Sequence, residues 1–272
     1  MDQRLKKLLI GDFTWKRMLK SLILIYVLFA VYVYFRADNM IFLPQPSSYE
    51  DTKDIIKLKT REKQQISAVY LPNNQAKYTI LYAHGNAEDL GDIKGTLKKL
   101  RDLGFNIFAY DYRGYGTSEG TPTENHAYQD IETAYNYLIE DLKIKPEKII
   151  VFGRSVGGGS AVDLAVRKPV AGLILESAFT SAFRFVVPFP VLPFDKFTNL
   201  DKIKKVKSPV LVIHGKSDEI IPFTHGEKLF AAVNSPKLYL WVETANHNNV
   251  ISVAGENYGK SLREFTDLIL KN

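Results

Sequence analysis

The stretch IIVFGRSVGGG, residues 149–159, decides the fold. A short β-branched run leads into Gly153-Arg154-Ser155-Val156-Gly157, then into more glycine and a helix-forming segment. Read as one unit, it is a strand that turns sharply into a helix with a serine at the apex. In a G-x-S-x-G elbow the backbone at the serine is strained and crowded. Glycine two positions before and two after relieves the contact, and Ser155 Oγ is pushed into the open. Five residues alone equally describe a glycine-rich turn with no chemistry.

Working outward, near-continuous apolar strands at 78–83, 106–110, 149–152, 171–175, 210–214 and 238–242 alternate with amphipathic helical stretches. The helices are expected near 89–103, 124–140, 156–166 and 224–233, with a last one ending near 270. Strands buried on both faces and separated by helices predict a mostly parallel, doubly wound sheet. Upstream, residues 55–59 and 65–71 predict an antiparallel hairpin, the second strand ending at the turn signal Leu71-Pro72-Asn73-Asn74. In open α/β sheets ligands bind outside the carboxyl ends of the strands. Three reactive residues fall there. Ser155 follows the strand at 149–152, Asp218 follows 210–214 in His214-Gly215-Lys216-Ser217-Asp218, and His247 lies in the loop 243–248 after 238–242.

The chain order Ser, Asp, His and the elbow together resemble the α/β-hydrolase superfamily over roughly residues 55–270. The segments YAHGNAEDLG (82–91), YDYRGYGTSEGTPTE (110–124), LESAFTS (175–181) and HGKSDEIIP (214–222) are similar to one branch of it. That branch comprises single-pass, membrane-anchored serine hydrolases of the abhydrolase-domain type, related to eukaryotic depalmitoylases. The resemblance implies an α/β-hydrolase fold with a short cap insertion, preceded by an anchor helix. Those depalmitoylases rely on an N-terminal cysteine cluster for membrane attachment, and this chain has no cysteine. Hydrolysis and anchoring are therefore implied, but not protein depalmitoylation as such.

The chemistry follows from the residue types. Ser155 is expected to be the nucleophile, too weak at its own pKa until His247 takes its proton. Asp218 would hold the imidazole in the tautomer that leaves its other nitrogen free, and stabilise the imidazolium. Backbone N–H groups of Val156 and of the turn His84-Gly85-Asn86-Ala87, assigned to Asn86 over Ala87, would form the oxyanion hole. Glu176 also ends a strand and is the alternative acid. His84 and His214 precede glycine and are expected to shape turns. His126 and His225 fall at helix starts and are expected to be solvated. Asp111 and Arg113 are read as an ion pair or loop brace, and Lys202, Lys204, Lys205 and Lys207 as a solvated face. Gly157-Gly158-Gly159-Ser160 lacks the G-K-[ST] ending of a phosphate loop, and there is no HExxH or comparable ligand cluster, so no metal or cofactor is expected.

Composition bounds the remainder. A chain of 272 residues suits one sizeable α/β domain. Without cysteine, disulfides, thiolate metal sites, cysteine nucleophiles and S-acylation are excluded, while the redox compartment stays open. Of the net charge of +6, residues 1–20 hold +4, with six Lys/Arg against Asp2 and Asp12; the rest is nearly balanced, so no nucleic-acid partner is expected. Residues 21–35, SLILIYVLFAVYVYF, carry no charge. They are short of the ~20 residues of an untilted span, but Lys20 and Arg36 can snorkel and Tyr26, Tyr32 and Tyr34 suit an interface. No small-x-small cleavage site follows, so an uncleaved anchor over 21–36 is expected, against a buried or interfacial helix. The expected organisation is a basic segment at 1–20, the anchor at 21–36, a linker at 37–50 and a hydrolase domain at 51–272. With positive charge ahead of the span, the N-terminus is placed in the cytoplasm and the catalytic domain across the membrane.

Residues 177–199 form an insertion where a cap would sit, loaded with Phe179, Phe183, Phe185, Val186, Val187, Phe189, Val191, Leu192, Phe194, Phe197 and three prolines. Apolar lining suits an acyl chain; the same aromatics would also serve to pack a short cap onto the domain. The expected function is a serine hydrolase cleaving carboxylic esters or thioesters of a small-molecule or acylated substrate through an acyl-enzyme. Peptidase and acyltransferase chemistry are variants on the same triad, and a non-catalytic binding protein of the same fold is the alternative class. The residues carry no signal of oligomeric state.

Overall fold

The computed structural model describes residues 14–184, 187 and 189–272, and the chain divides into two units, Met1–Met40 and Ile41–Asn272. The described part of the first is helix α1, Trp15–Ile41. Its 27 residues rise about 40 Å at ~1.5 Å each, against a hydrocarbon core of ~30 Å. By length and composition it can cross a membrane. It exposes Leu22, Ile25, Leu28, Tyr32 and Phe35, which sets aside a helix buried in a core. The helix runs beyond the uncharged stretch because Ala37, Asp38, Asn39 and Met40 include no breaker; it ends three residues before Pro44. Of the basic segment expected at 1–20, residues 1–13 lie outside the described residues.

The second unit opens with β1 (Ile56–Lys59) and β2 (Gln65–Leu71), paired antiparallel with Ile56 opposite Ala68. Then follow β3 (Thr79–Ala83), α2 (Lys94–Asp102), β4 (Asn106–Tyr110), α3 (Glu124–Glu140), β5 (Ile149–Arg154), α4 (Gly157–Arg167) and β6 (Gly172–Glu176). After the cap come α5 (Asn199–Ile203), β7 (Val210–Gly215), α6 (Thr224–Ala232), β8 (Lys237–Val242), α7 (Val250–Ala254) and α8 (Glu256–Leu270). The sheet order is β1-β2-β4-β3-β5-β6-β7-β8. β2 is antiparallel to β4, and every pairing from β4 to β8 is parallel. The alternation of strands and helices thus folds as the expected mostly parallel sheet of the α/β-hydrolase fold.

Side-chain period two sorts the core into two layers. Leu81, Phe108, Val151 and Val212 face one way, where Ile131, Leu138, Val162 and Leu229 of α3, α4 and α6 cover them. Ile80, Ile107, Ile150 and Leu211 face the other, under Leu97, Leu100, Leu262 and Phe265 of α2 and α8. The chain moves from β3 to β4 on one side and then to β5 on the other. The sheet therefore reverses its winding between β3 and β5, and a crevice opens there above the carboxyl ends.

Two local readings change. α2 begins at Lys94 rather than near 89, because Asp89 ends the chain's extended run with its own side chain, accepting from Gly91 N at 2.9 Å, Asp92 N at 3.2 Å and Ser48 N at 2.7 Å. The stretch read as a linker, 37–50, also carries core. Phe42 is buried with its ring edge-on to Phe197, Tyr112 and Tyr115 at 5.9–6.4 Å, and Tyr49 Oη donates to Asp111 Oδ2 at 2.5 Å.

Candidate active site

β5 delivers Ser155 to the edge of that crevice. Ser155 sits in the left-handed region, φ 50°, a conformation a side chain adopts only under constraint. The constraint is visible on both sides. Ser155 N is held by Glu176 O at 2.9 Å. A Cβ on Gly157 would land on the carbonyl oxygen of Ala83, and one on Gly153 would meet Ala161 Cβ at 2.6 Å and Gly157 O at 2.6 Å. Only hydrogen fits at either position, which is why the motif has glycine at both.

From Ser155 a continuous hydrogen-bonded chain runs to β7. Ser155 Oγ lies 3.1 Å from His247 Nε2, and His247 Nδ1 lies 2.8 Å from Asp218 Oδ2 and 3.1 Å from Oδ1. All three residues are buried. Asp218 Oδ1 also accepts from Ile220 N at 3.0 Å and Ile221 N at 2.8 Å, and His214 Nε2 lies 3.3 Å from Oδ2. Burial pushes the Asp218 carboxyl up, but the hydrogen bonds from His214, His247 and Ile221 N outweigh it and hold the group well below the usual carboxylate range. The loop bearing His247 is tied to the loop bearing Asp218 through Ser217 N to Ala245 O at 3.1 Å.

Across the crevice, the turn after β3 places Ala87 at φ 56°. Ala87 N donates to Asn86 Oδ1 at 3.1 Å, whereas the backbone N–H groups of Asn86 and Val156 have no hydrogen-bond partner among the described residues. Val156 is buried, where an N–H is seldom left unpaired, and Asn86 is half-buried, so both groups are free to donate to an incoming oxygen. Both polar atoms of the Asn86 side chain have partners: Nδ2 donates to Ile41 O at 2.6 Å, and Oδ1 accepts from Leu43 N at 3.0 Å and Tyr115 Oη at 2.5 Å. Sequence reasoning missed Ile41, Leu43 and Tyr115, since nothing in their spacing links them to residue 86.

Glu176 is not aligned with the imidazole. Its Oε2 accepts from Tyr258 Oη at 2.7 Å, and burial raises its pKa. His84 and His214 bind turn carbonyls, Nδ1 to Gly85 O at 2.8 Å and Nε2 to Ile221 O at 2.9 Å. Asp111 and Arg113 brace loops separately: Arg113 binds Asp130, Glu62 and Gln129, while Asp111 takes Tyr49, Leu90 N and His84. His126 is half-buried, its N–H capped by Thr123 Oγ1. Lys204, Lys205 and Lys207 are exposed, but Lys202 is bound to Asp163 at 2.7 Å and lies over the Tyr128 ring.

The expectation of a solvated His225 is overturned. The residue is buried, and its Nδ1 takes the N–H and hydroxyl of Thr180 at 3.2 and 3.0 Å. The loop after β6 folds back over the start of α6, which helix-start chemistry alone did not reveal. His225 lines a cavity of about 550 Å³ with Thr180, Arg184, Asp195, Leu200 and Lys228. That lining is mixed, and among the described residues none of the cap's aromatics contributes to it. Phe179 and Phe197 are buried against the core instead, whereas Phe189 and Val191 are exposed; Phe185, Val186 and Pro188 lie outside the described residues. Among the described residues no cluster of His, Asp or Glu is arranged to hold a metal ion.

Comparison with known proteins identifies the family and the fold. The family model described as serine aminopeptidase, S33, matches residues 74–193. Alpha/beta hydrolase domain-containing protein 17B of Homo sapiens is 42% identical over 229 residues, 82% of this chain and 77% of the relative. The Xenopus tropicalis protein of the same name is 41% identical over the same shares. Among solved structures, a Pyrococcus furiosus esterase superposes with a TM-score of 0.68 at 19% identity, covering 83% of this chain and 98% of that one. Mouse alpha/beta hydrolase domain-containing protein 10 does so with 0.61 at 18%, covering 79% and 99%. These superpositions speak to the fold alone.

Proposed function

Because this chain belongs to the α/β-hydrolase superfamily, in the family of the alpha/beta hydrolase domain-containing protein 17 relatives, and is a membrane-anchored serine hydrolase of the ester or thioester type, we propose that Ser155, His247 and Asp218 are its nucleophile, base and orienting acid. The observation that carries this reading is the unbroken path from Ser155 Oγ through His247 to Asp218. As Ser155 Oγ attacks the carbonyl carbon, its proton passes to His247 Nε2. The charge that develops on the carbonyl oxygen meets the free N–H groups of Asn86 and Val156; losing one such donor usually costs about 3–4 kcal/mol of barrier. Collapse breaks the C–O or C–S bond, and the leaving group takes the proton from His247. Water, deprotonated by the same nitrogen, then releases the acid from the acyl-Ser155 ester.

A fluorophosphonate probe should label the wild type and leave Ser155→Ala unlabelled. A folded wild type that is never labelled would return the chain to the class of non-catalytic binding proteins. The acyl group we assign is lipophilic, since the anchor tethers the enzyme at lipid and Phe189 and Val191 leave apolar surface on the cap. A p-nitrophenyl ester series from acetate to palmitate should peak at the longer chains; a maximum at acetate would oppose the assignment. The aminopeptidase description of the matched family model keeps a second reading in play. It would be favoured if aminoacyl p-nitroanilides outran the esters. By the positive-inside rule we place the N-terminus in the cytoplasm and the catalytic unit on the other side; a C-terminal reporter active only in the cytoplasm would contradict that topology.

A further inference from the structure

Arg154, the residue between the elbow strand and the nucleophile, carries a largely buried guanidinium, 12% exposed, that the chemical steps above do not use. Its three nitrogens reach three separate segments. Nη1 donates to Glu88 Oε1 at 2.7 Å, and the same oxygen accepts from Gly85 N in the oxyanion turn at 2.6 Å. Nη2 donates to the backbone oxygen of His247 at 3.2 Å and to Asn248 Oδ1 at 2.7 Å. Nε lies 3.7 Å from Glu176 Oε1 at the end of β6, and Glu176 in turn holds Tyr258 of α8.

The loop carrying His247 needs such a link. Its other hydrogen bonds run within itself, to the adjoining ends of β8 and α7, or to the loop after β7, as from Asn246 N to Asn249 Oδ1, Ser252 N to Asn249 O and Ser217 N to Ala245 O. Among the described residues, only two kinds of hydrogen bond join residues 243–249 to the elbow or the oxyanion turn. One is the His247 Nε2 to Ser155 Oγ contact itself, and the other is the pair from Arg154. A planar fork with fixed donor directions can hold His247, Asn248 and Glu88 at once; a lysine ammonium, a single point on a flexible stem, cannot. We propose that Arg154 is a positioning residue that fixes the base loop and the oxyanion turn in one register around Ser155, so that Nε2 and the two free N–H groups converge on the same carbonyl.

This rests on the triad proposed above, and the test separates the two. In full-length enzyme, active sites are counted from the burst of p-nitrophenol, and acylation is followed per titrated site in wild type, Arg154→Lys and Arg154→Gln. Misplacement by about an ångström can cost ~100-fold. Both variants should therefore acylate roughly 10- to 100-fold more slowly per titrated site, with KM within about two-fold of wild type. Arg154→Lys, which keeps the buried positive charge between Glu88 and Glu176, should regain the melting temperature lost in Arg154→Gln without regaining the rate. A residue that only supports the fold would lower the number of titratable sites and leave the rate per site untouched, and that result overturns the proposal. If Arg154→Gln yields no folded protein, Asn248→Ala removes one arm of the clamp at an exposed position. A slower rate in it and in Arg154→Lys supports the clamp, and wild-type rates in both overturn it. Probe labelling that survives Ser155→Ala would instead overturn the triad, whatever the Arg154 variants do.

Discussion

Asp218 is approached by two imidazoles and two backbone N–H groups, and each of those contacts favours the ionised carboxylate that an imidazolium at position 247 requires. Asp218→Asn should leave the circular dichroism spectrum in place and lower kcat by about 10⁴, because an amide N–H selects the wrong imidazole tautomer. A larger loss in Glu176→Gln would redirect the role to that residue. His225 behaves in the opposite sense. Burial, with smaller contributions from the charges on Lys228 and His214, lowers its pKa from the usual 6.5 to about 4. Between those values the unfolded chain binds the proton and the folded chain does not, so stability present above pH 6.5 is lost as pH falls toward 4. In His225→Gln the amide oxygen can still accept from Thr180 N. The gap in urea midpoint between wild type and this variant should therefore shrink from pH 7 to pH 4; a gap independent of pH would contradict the assignment. The meeting of Ser155, His247 and Asp218 was legible in the sequence because each follows a strand. The burial of His225 was not, since its partner Thr180 lies 45 positions away.

The cap shows how far composition can be read at the scale of an element. Residues 177–199 stand out as an aromatic, proline-bearing insertion, but without a helical or strand period nothing tells which rings turn inward. The structure divides them. Phe197, at φ 48° and fully buried, packs edge-on against Phe42, Tyr128 and Phe179 at 5.5–6.3 Å, while Phe189 is 62% exposed. Phe197→Ala should cost about 3–5 kcal/mol of unfolding free energy, and Phe189→Ala less than about 0.5 kcal/mol, both read from urea denaturation. Comparable losses would mean that the cap is packed uniformly. The strands needed no such help, because a run such as Ile149-Ile150-Val151-Phe152, apolar on both faces, is stable only between two layers of helices.

For the whole molecule the consequential segment is residues 41–50, part of the stretch 37–50 read from composition as a linker. A chain starting at residue 41 should be monodisperse without detergent and hydrolyse soluble esters like the full-length enzyme, while no longer sedimenting with vesicles, since α1 carries the exposed apolar surface. A chain starting at residue 51 loses Phe42, the Ile41 and Leu43 contacts of Asn86 and the Tyr49 bond to Asp111. It should melt on the order of 10 °C lower, as expected for ~3–5 kcal/mol at about 2–4 °C each. Equal melting temperatures would show the segment to be a tether only. The sequence by itself determined the winding of the sheet, the elbow, the placement of Ser155, Asp218 and His247 and the apolar anchor, because these follow from local periodicity, from glycine where a Cβ has no room and from strand ends. Only the tertiary structure decided what grips them: Arg154 on His247, Ile41 and Leu43 on Asn86, Thr180 on His225. Those contacts join residues 43 to 93 positions apart, and at such separations no periodicity or spacing specifies a partner; three-dimensional packing alone brings the groups within hydrogen-bonding reach.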